Sequence, residues 1–398
     1  MVKLYKLDAV STYDRHIRSA DWIKPAQTRS PMIAPISYLW SLVLSEDSAT
    51  AATPHLDLLF AGSVFCDLVF AGVPLPEPGA EVFADAFMLT PGGTANRAVA
   101  ASRLGASTAL LSQLGDDALG SRVDDILSAE PELDLTWLRR VPGFQSPVSV
   151  SLTGQHERSF ITYEEDALPL DWPEDGPTVG ATHVGVQAEL PAWVRRIRAE
   201  GTVVFGGVGW DSSGEWSPSV LRRLREIDVF VPNDLEAMRY TQTDSAEDAA
   251  RALGEYVDLA VVTRGARGVV AFERATGTLT EVDTIVVDTI DPTGAGDVFV
   301  ASLMATERFG WPLDVRLRLA CLCASLSVRT LGGAASAPRP AEILRFLDAE
   351  APVGDWSMIR RWAEAAADVS AASVQSPSPE LHHSTHHAGP IHTPEENL

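Results

Sequence analysis

Seven residues, Asp291-Pro292-Thr293-Gly294-Ala295-Gly296-Asp297, set three small residues between two carboxylates and run into the apolar stretch Val298-Phe299-Val300-Ala301-Ser302-Leu303-Met304. The apolar stretch predicts a buried helix whose N-terminus falls at the glycines. The unpaired N–H groups of Gly294, Ala295 and Gly296, together with the helix dipole, favour an anion such as a phosphoryl group. Side chains no larger than methyl leave room for its approach. A carboxylate beside such a trap repels phosphate, and makes chemical sense if Asp297 takes a proton from an attacking hydroxyl. A plainer reading is an ordinary helix start with Asp297 complementing the dipole; the choice depends on what else converges there.

Four further groups carry polar chemistry. Pro91-Gly92-Gly93-Thr94-Ala95-Asn96 precedes a helical pattern ending at Leu104-Gly105, so its glycines are expected in a loop open to close approach, with Asn96 as a ligand or as the N-cap. Asp67 follows the turn Gly62 to Cys66 at the carboxyl end of a first strand; there it accepts bonds from paired hydroxyls of a polyol or serves the turn itself. Asn233-Asp234-Leu235-Glu236 reads as a capping box, and is also placed to hold metal-bound water beside phosphates. Thr263-Arg264-Gly265-Ala266-Arg267-Gly268 reads as a glycine-rich hairpin connection, which serves a nucleotide only in the company of the other groups.

The elements that must position these residues alternate along the chain. Leu56–Ala61, Thr108–Gln113, Val203–Phe205, Val229–Val231 and Leu259–Thr263 read as strands. Asn96–Leu104, Asp117–Ala129, Pro191–Glu200, Pro218–Glu226 and Asp234–Thr241 read as helices. The alternation predicts an α/β fold with a mostly parallel sheet covered on both faces, and ligands at the carboxyl ends of its strands. Segments 69–89 and 148–163 break the pattern with period-two apolar character and are expected to form a small separate β-sheet, a lid over substrate. The organisation read from this is an N-terminal extension over 1–55, partly disordered; a folded domain over 56–365; and a disordered tail rich in His, Pro and Ser over 366–398. Five tail histidines, His382, His383, His386, His387 and His392, lack the carboxylate or cysteine framework of a built metal site.

Composition narrows the function. The chain of 398 residues is 45% hydrophobic, enough for a large core, and holds no apolar run near the ~20 residues that span a bilayer. Its net charge of -23 argues against nucleic acid or an anionic membrane as partner. An anionic nucleotide therefore needs a divalent cation and oriented backbone donors at its site. Three cysteines, Cys66, Cys321 and Cys323, make neither a disulfide scaffold nor a zinc site, and a reducing cytoplasm is the expected setting.

Taken together and in this order, Asp67, Gly92-Gly93 with Asn96, Asn233 with Glu236, Thr263 to Gly268, and Asp291 to Asp297 resemble the ribokinase-like, or PfkB, family of carbohydrate kinases over about 56–340. The resemblance implies an ATP-dependent phosphotransferase with a three-layer α/β/α core and a β-sheet lid. Asp297 is then the base that deprotonates a hydroxyl, and Gly294, Ala295 and Gly296 form the anion hole. Asp67, Gly92, Gly93 and Asn96 hold the sugar, while Asn233, Glu236, Thr263, Gly265 and Gly268 form the ATP end, Glu236 holding Mg2+ through water. Asp291, Thr293 and Ser336 fall where the family often places a monovalent cation such as K+.

Three positions depart from the family pattern: Thr94, bulkier than usual; the segment Gly206 to Asp211, less polar than usual; and Cys321, where an Asn or His often lies beside the adenine. A small-molecule sugar is the expected substrate, and a homodimer through the lid the expected assembly. Rival readings are a nucleoside or vitamin kinase built on the same anion hole, a non-catalytic sugar sensor, or a structural scaffold.

Overall fold

Every residue of Thr108–Gly115 is buried, so both faces of this strand are covered, as the alternation of strands and helices requires. Alternate side chains go to two different cores: Leu110 and Leu114 to one, Ala109 and Leu111 to the other. This computed structural model describes residues 55–374, apart from 74–75, 131, 154–157, 210 and 212. The expectations for 1–54 and for the five histidines of the tail lie outside the described residues.

In chain order the strands are β1 His55–Ala61, β2 Val64–Ala71, β3 Ala86–Gly93, β4 Thr108–Gly115, β5 Leu133–Asp134, β6 Leu138–Val141, β7 Val148–Thr153, β8 Arg158–Tyr163, β9 Thr178–Gly185, β10 Val203–Gly207, β11 Val229–Phe230, β12 Leu259–Thr263, β13 Val269–Glu273 and β14 Thr278–Val282. The helices are α1 Thr94–Arg103, α2 Ala118–Leu127, α3 Ala192–Ala199, α4 Ser219–Arg223, α5 Asp234–Thr241, α6 Ala246–Leu253, α7 Ala295–Ala305, α8 Leu313–Ser327, α9 Pro340–Glu350 and α10 Ser357–Val374. The main sheet runs β14-β13-β12-β11-β10-β9-β1-β4-β5, with β6 also on β4. From β12 through β4 the pairs are parallel; β13 and β14 join antiparallel.

One core holds buried residues of α1, α7 and α8, the other those of α3, α5 and α6, which makes three layers. The α/β/α architecture and the mostly parallel sheet agree with the sequence reading. β9 was not legible, although it lies between β1 and β10 at the centre of the sheet. Its sequence TVGATHVG has two glycines and no run of large apolar side chains.

A second sheet, ordered β3-β2-β7-β8, is the small separate sheet expected as a lid from the sequence. The segments 69–89 and 148–163 locate it but misplace its first half: β2 begins at Val64, β3 runs on to Gly93, and much of what lies between them is not strand. Three candidate site residues therefore lie on strands rather than in loops, Asp67 within β2 and Gly92 and Gly93 at the end of β3. At the other end, α10 continues through Val374, into residues assigned from sequence to the tail.

Candidate active site

α7 begins at Gly294, which caps it in the left-handed conformation at φ 76. A side chain there is also blocked by space, because a Cβ would lie 2.9 Å from the Cα of Gly333. Around Gly296 a Cβ would meet no heavy atom within 4 Å, so that glycine faces open space. Among the described residues the N–H groups of Gly294 and Gly296 have no acceptor, whereas that of Ala295 reaches the carbonyl of Pro292 at 3.4 Å. Two of the three expected anion-hole amides are thus fully available, and the third is partly engaged.

The loop before α7 is pinned by Asp291, which is fully buried. One of its oxygens accepts from the N–H of Thr293 at 2.9 Å, the other from Gly332 at 3.2 Å, joining the α7 start to the Gly332-Gly333 loop. Thr293 Oγ1 is buried without a hydrogen-bond partner, an orphan oxygen that fits a cation. Ser336, the third residue read as a cation ligand, donates instead to Gly333 O at 2.6 Å and faces a separate cleft beside Arg103. Among the described residues no hydrogen bond joins it to Asp291 or Thr293.

From the lid side, β2 and β3 bring Asp67 against Gly92. A Cβ on Gly92 would fall 2.0 to 2.2 Å from the Asp67 carboxyl atoms, so only glycine admits that carboxylate. Burial first, then the charges of Asp297 and Asp291, push the Asp67 carboxyl up to about 7. Two carboxylates that are 230 residues apart in sequence therefore face a common space.

The N-cap of α1 is Gly93 (φ 61), so of the two sequence readings of Asn96, ligand or N-cap, the cap does not hold, and Asn96 lies within the first turn. α1 packs on α7, and small buried residues on both, Ala95, Ala98 and Ala101 on α1 and Ala301 on α7, belong to the same core. Asn96 Nδ2 then reaches Asp297 Oδ2 at 3.3 Å.

Asp297 is not the free carboxylate that the sequence reading requires. Arg97 Nη1 donates to its Oδ1 in a close ion pair, with the two side chains 21% and 25% exposed. Arg97 was not among the residues singled out from sequence, yet it carries a signal. A cation near the start of α1 is opposed by the helix dipole, in a first turn with no acid of its own, and needs a partner from elsewhere. Beyond it lies His183 at the end of β9, buried and held neutral by burial and then by the charge of Arg97. A Cβ on Gly207 would sit 2.9 Å from His183 Nε2.

The other side of α7 is a cleft of about 280 Å³, lined by Thr263, Gly265 and Gly268 on one wall and by Ile285, Val287, Phe299 and Cys321 on another. Thr263 to Gly268 forms the expected connection between antiparallel β12 and β13, through a tight turn over Gly265–Arg267. Gly268 needs its φ of 80, and a Cβ there would strike Val282 O at 2.1 Å. Asn233 bridges to Thr263, which brings the start of α5 to this wall. Its side chain accepts from Glu236 N and Glu236 Oε2 accepts from Asn233 N, each at 2.9 Å, completing the expected capping box. Burial raises the Glu236 carboxyl above its ordinary value. Small residues, an apolar slot and an adjacent helix N-terminus fit a nucleotide. Burial pushes the Cys321 thiol up to about 12, leaving it an apolar wall.

Residues 61–340 match the model of the pfkB family carbohydrate kinases. A 2-dehydro-3-deoxygalactonokinase of Haloferax volcanii is 30% identical over 284 residues, which cover 65% of this chain and 87% of that protein. A ribokinase of Haemophilus influenzae is 26% identical over 325 residues, 73% of this chain and 98% of that one. The solved structure of Arabidopsis thaliana ribokinase complexed with ribose and ATP shares the fold, with a TM-score of 0.59 at 22% identity over 74% of this chain and 99% of that one. The chain belongs to the pfkB family of carbohydrate kinases.

Proposed function

We propose that this kinase transfers the γ-phosphoryl group of ATP to a hydroxyl of a small sugar or sugar derivative, with Asp297 as the base. The observation that carries the reading is the meeting at one point of the free amides of Gly294 and Gly296, the Asp297 carboxylate and, from the lid and α1, Asp67 and Asn96. Asp67 and Asn96 hold the acceptor, with Gly92 and Gly93 giving the room; Asp297 takes the proton of the attacking hydroxyl. The α7 amides stabilise the charge that develops on the transferred group. ATP with Mg2+ supplies the phosphoryl group. Thr263, Gly265 and Gly268 form its wall, and Asn233 with Glu236 stands where metal-bound water is held. Asp291 organises the anion hole, and Thr293 is the residue with an oxygen to offer K+.

A second copy of the chain is the proposed partner, through lid residues such as Phe87, Phe160 and Ile161, which are exposed apolar side chains. The proposed setting is the cytoplasm. All three cysteines are free, and among the described residues no helix is long and apolar enough to cross a membrane.

The test is coupled detection of ADP over a panel of pentoses, hexoses, sugar acids and nucleosides. Acceptor-dependent ADP release with formation of a phosphate ester is expected for a sugar or sugar acid. Release with nucleosides alone would replace the sugar by a nucleoside. No release with any acceptor would reject the phosphotransfer reading.

A further inference from the structure

An ion pair between the proposed base and Arg97 poses a chemical problem. Arg97 Nη1 occupies Oδ1 of Asp297 and Asn96 Nδ2 reaches Oδ2, so both oxygens are engaged before any hydroxyl arrives. Oδ1 is freed for the attacking hydroxyl when the guanidinium is drawn to another anion. Arg97 is fitted to do this: its Nε is buried without a partner, so the side chain is only partly satisfied by Asp297 and has donors left for a planar, two-oxygen ligand. It stands on the acceptor side of α7, next to Asn96 and within the electrostatic reach of His183, and it does not line the nucleotide cleft.

We infer that the acceptor carries a carboxylate, a sugar acid rather than a neutral sugar, and that Arg97 recognises that carboxylate and releases Asp297 as it does so. The inference rests on the phosphotransfer reading and adds to it the class of acceptor. A carboxylate suits the site better than a phosphate. A dianion entering a chamber that already holds Asp67, Asp291 and Asp297 needs more positive charge than one guanidinium supplies, whereas the fork of a single arginine matches a carboxylate. With the acceptor bound, its hydroxyl proton passes to Asp297, the new O–P bond forms, and the bond from phosphorus to the ADP oxygen breaks. The guanidinium stays on the substrate.

The test compares matched acceptors, a six-carbon sugar acid and its neutral counterpart with CH2OH in place of the carboxylate. They are presented to the full chain and to the Arg97→Met and Arg97→Lys variants, with melting temperatures confirming that each is folded. Two readouts are needed, steady-state kinetics and calorimetric binding of the acceptor without nucleotide. The wild type is expected to favour the acid by about 10² in kcat/KM, and Arg97→Met to erase that preference by raising the KM of the acid, with the nucleotide KM moving less than about threefold. Arg97→Lys should restore part of the binding.

Equal binding of the acid by wild type and Arg97→Met overturns the inference. So does a wild type that prefers neutral sugars. An equal fall in kcat for every acceptor, with the acid KM unmoved, also overturns it and places Arg97 on the transferred phosphoryl group. Binding of the acid that depends on Arg97 without any ADP release supports the inference while striking the phosphotransfer reading, so the two failures are distinct.

Discussion

The two halves of the proposed site, a nucleotide half and an acceptor half, are built from different materials. The nucleotide half is mostly backbone and small or apolar side chains: the α7 amides, the turn between β12 and β13 and the slot around Phe299. The acceptor half is mostly polar and ionisable side chains: Asp67, Asn96, Arg97, buried His183 and Asp297, drawn from the lid, α1, β9 and α7. A half made of backbone geometry can serve any chemistry that needs a terminal phosphate. On the proposed function, the identity of what is phosphorylated is then set by the side chains of the acceptor half.

The largest expected effect is on turnover. Asp297→Asn keeps the shape and removes the proton acceptor, and kcat should fall by about 10² to 10⁴ with little change in nucleotide KM. A change of only a few fold would make Asp297 no more than a counterion for Arg97. Next in size, two glycine substitutions should separate the halves. Gly92→Ala drives a methyl into the Asp67 carboxylate, so acceptor KM should rise by about tenfold or more and the melting temperature should fall. Gly296→Ala meets no neighbour, and exchanging glycine for alanine in a helix stabilises by about 0.5–1 kcal/mol. Its melting temperature should hold or rise while turnover drops, since the methyl covers the anion hole. Equal losses of stability in the two variants would erase the contrast.

This division also explains what the sequence made legible. Gly294, Gly268 and the Asn233–Glu236 box impose local backbone geometry, and a short motif shows such geometry whatever surrounds it. Asp67 and Asn96 were found as candidate ligands, but their local settings differ from the sequence reading: Asp67 lies within β2 rather than after a turn, and Asn96 lies inside the first turn of α1 rather than before it. The lid strands extend further than alternation alone indicated, and pairing between β2 and β3 decides where they end. Arg97 shows only that it needs a partner, not where; that partner, Asp297, is 200 positions away and is brought to it by packing of α1 on α7. His183 has no local mark, and its charged neighbour is Arg97, reached from β9 near the middle of the sheet. β9 itself, at the centre of the sheet, was hidden by its glycines.

The acceptor half should also show a pH dependence that the nucleotide half lacks. Asp67, raised to about 7, keeps its proton in the folded state where an unfolded Asp has lost it. Its cost to stability is absent below about pH 4, grows as pH rises toward 7 and is full above that. Asp67→Asn removes this cost. At about pH 8 the variant should be more stable than the wild type, by on the order of 1–2 kcal/mol once solvent screening of a partly exposed group is allowed for, and the difference should vanish at about pH 4. Urea unfolding at the two pH values measures it. Acceptor binding should move the opposite way, with KM raised in the variant because a carboxylate that accepts two hydroxyls has been lost. A variant no more stable at high pH would mean that Asp67 is neither desolvated by burial nor crowded by the charges of Asp297 and Asp291.

The smallest expected effect falls on the nucleotide half. Asn233→Ala breaks one arm of the capping box at the start of α5, and loss of such a cap costs about 1 kcal/mol. If the box is only structural, the melting temperature falls and the kinetics stay within about twofold. If Asn233 and Glu236 also hold metal-bound water, the Mg2+ concentration needed for half-maximal rate rises as well, and Glu236→Gln shares that rise. Glu236 accepts from the Asn233 N–H through one oxygen, and a glutamine can keep that bond through its carbonyl while losing the charge. A Mg2+ requirement unmoved in both variants would confine this corner of the site to shaping the wall, consistent with a half whose work is done by backbone rather than by charge.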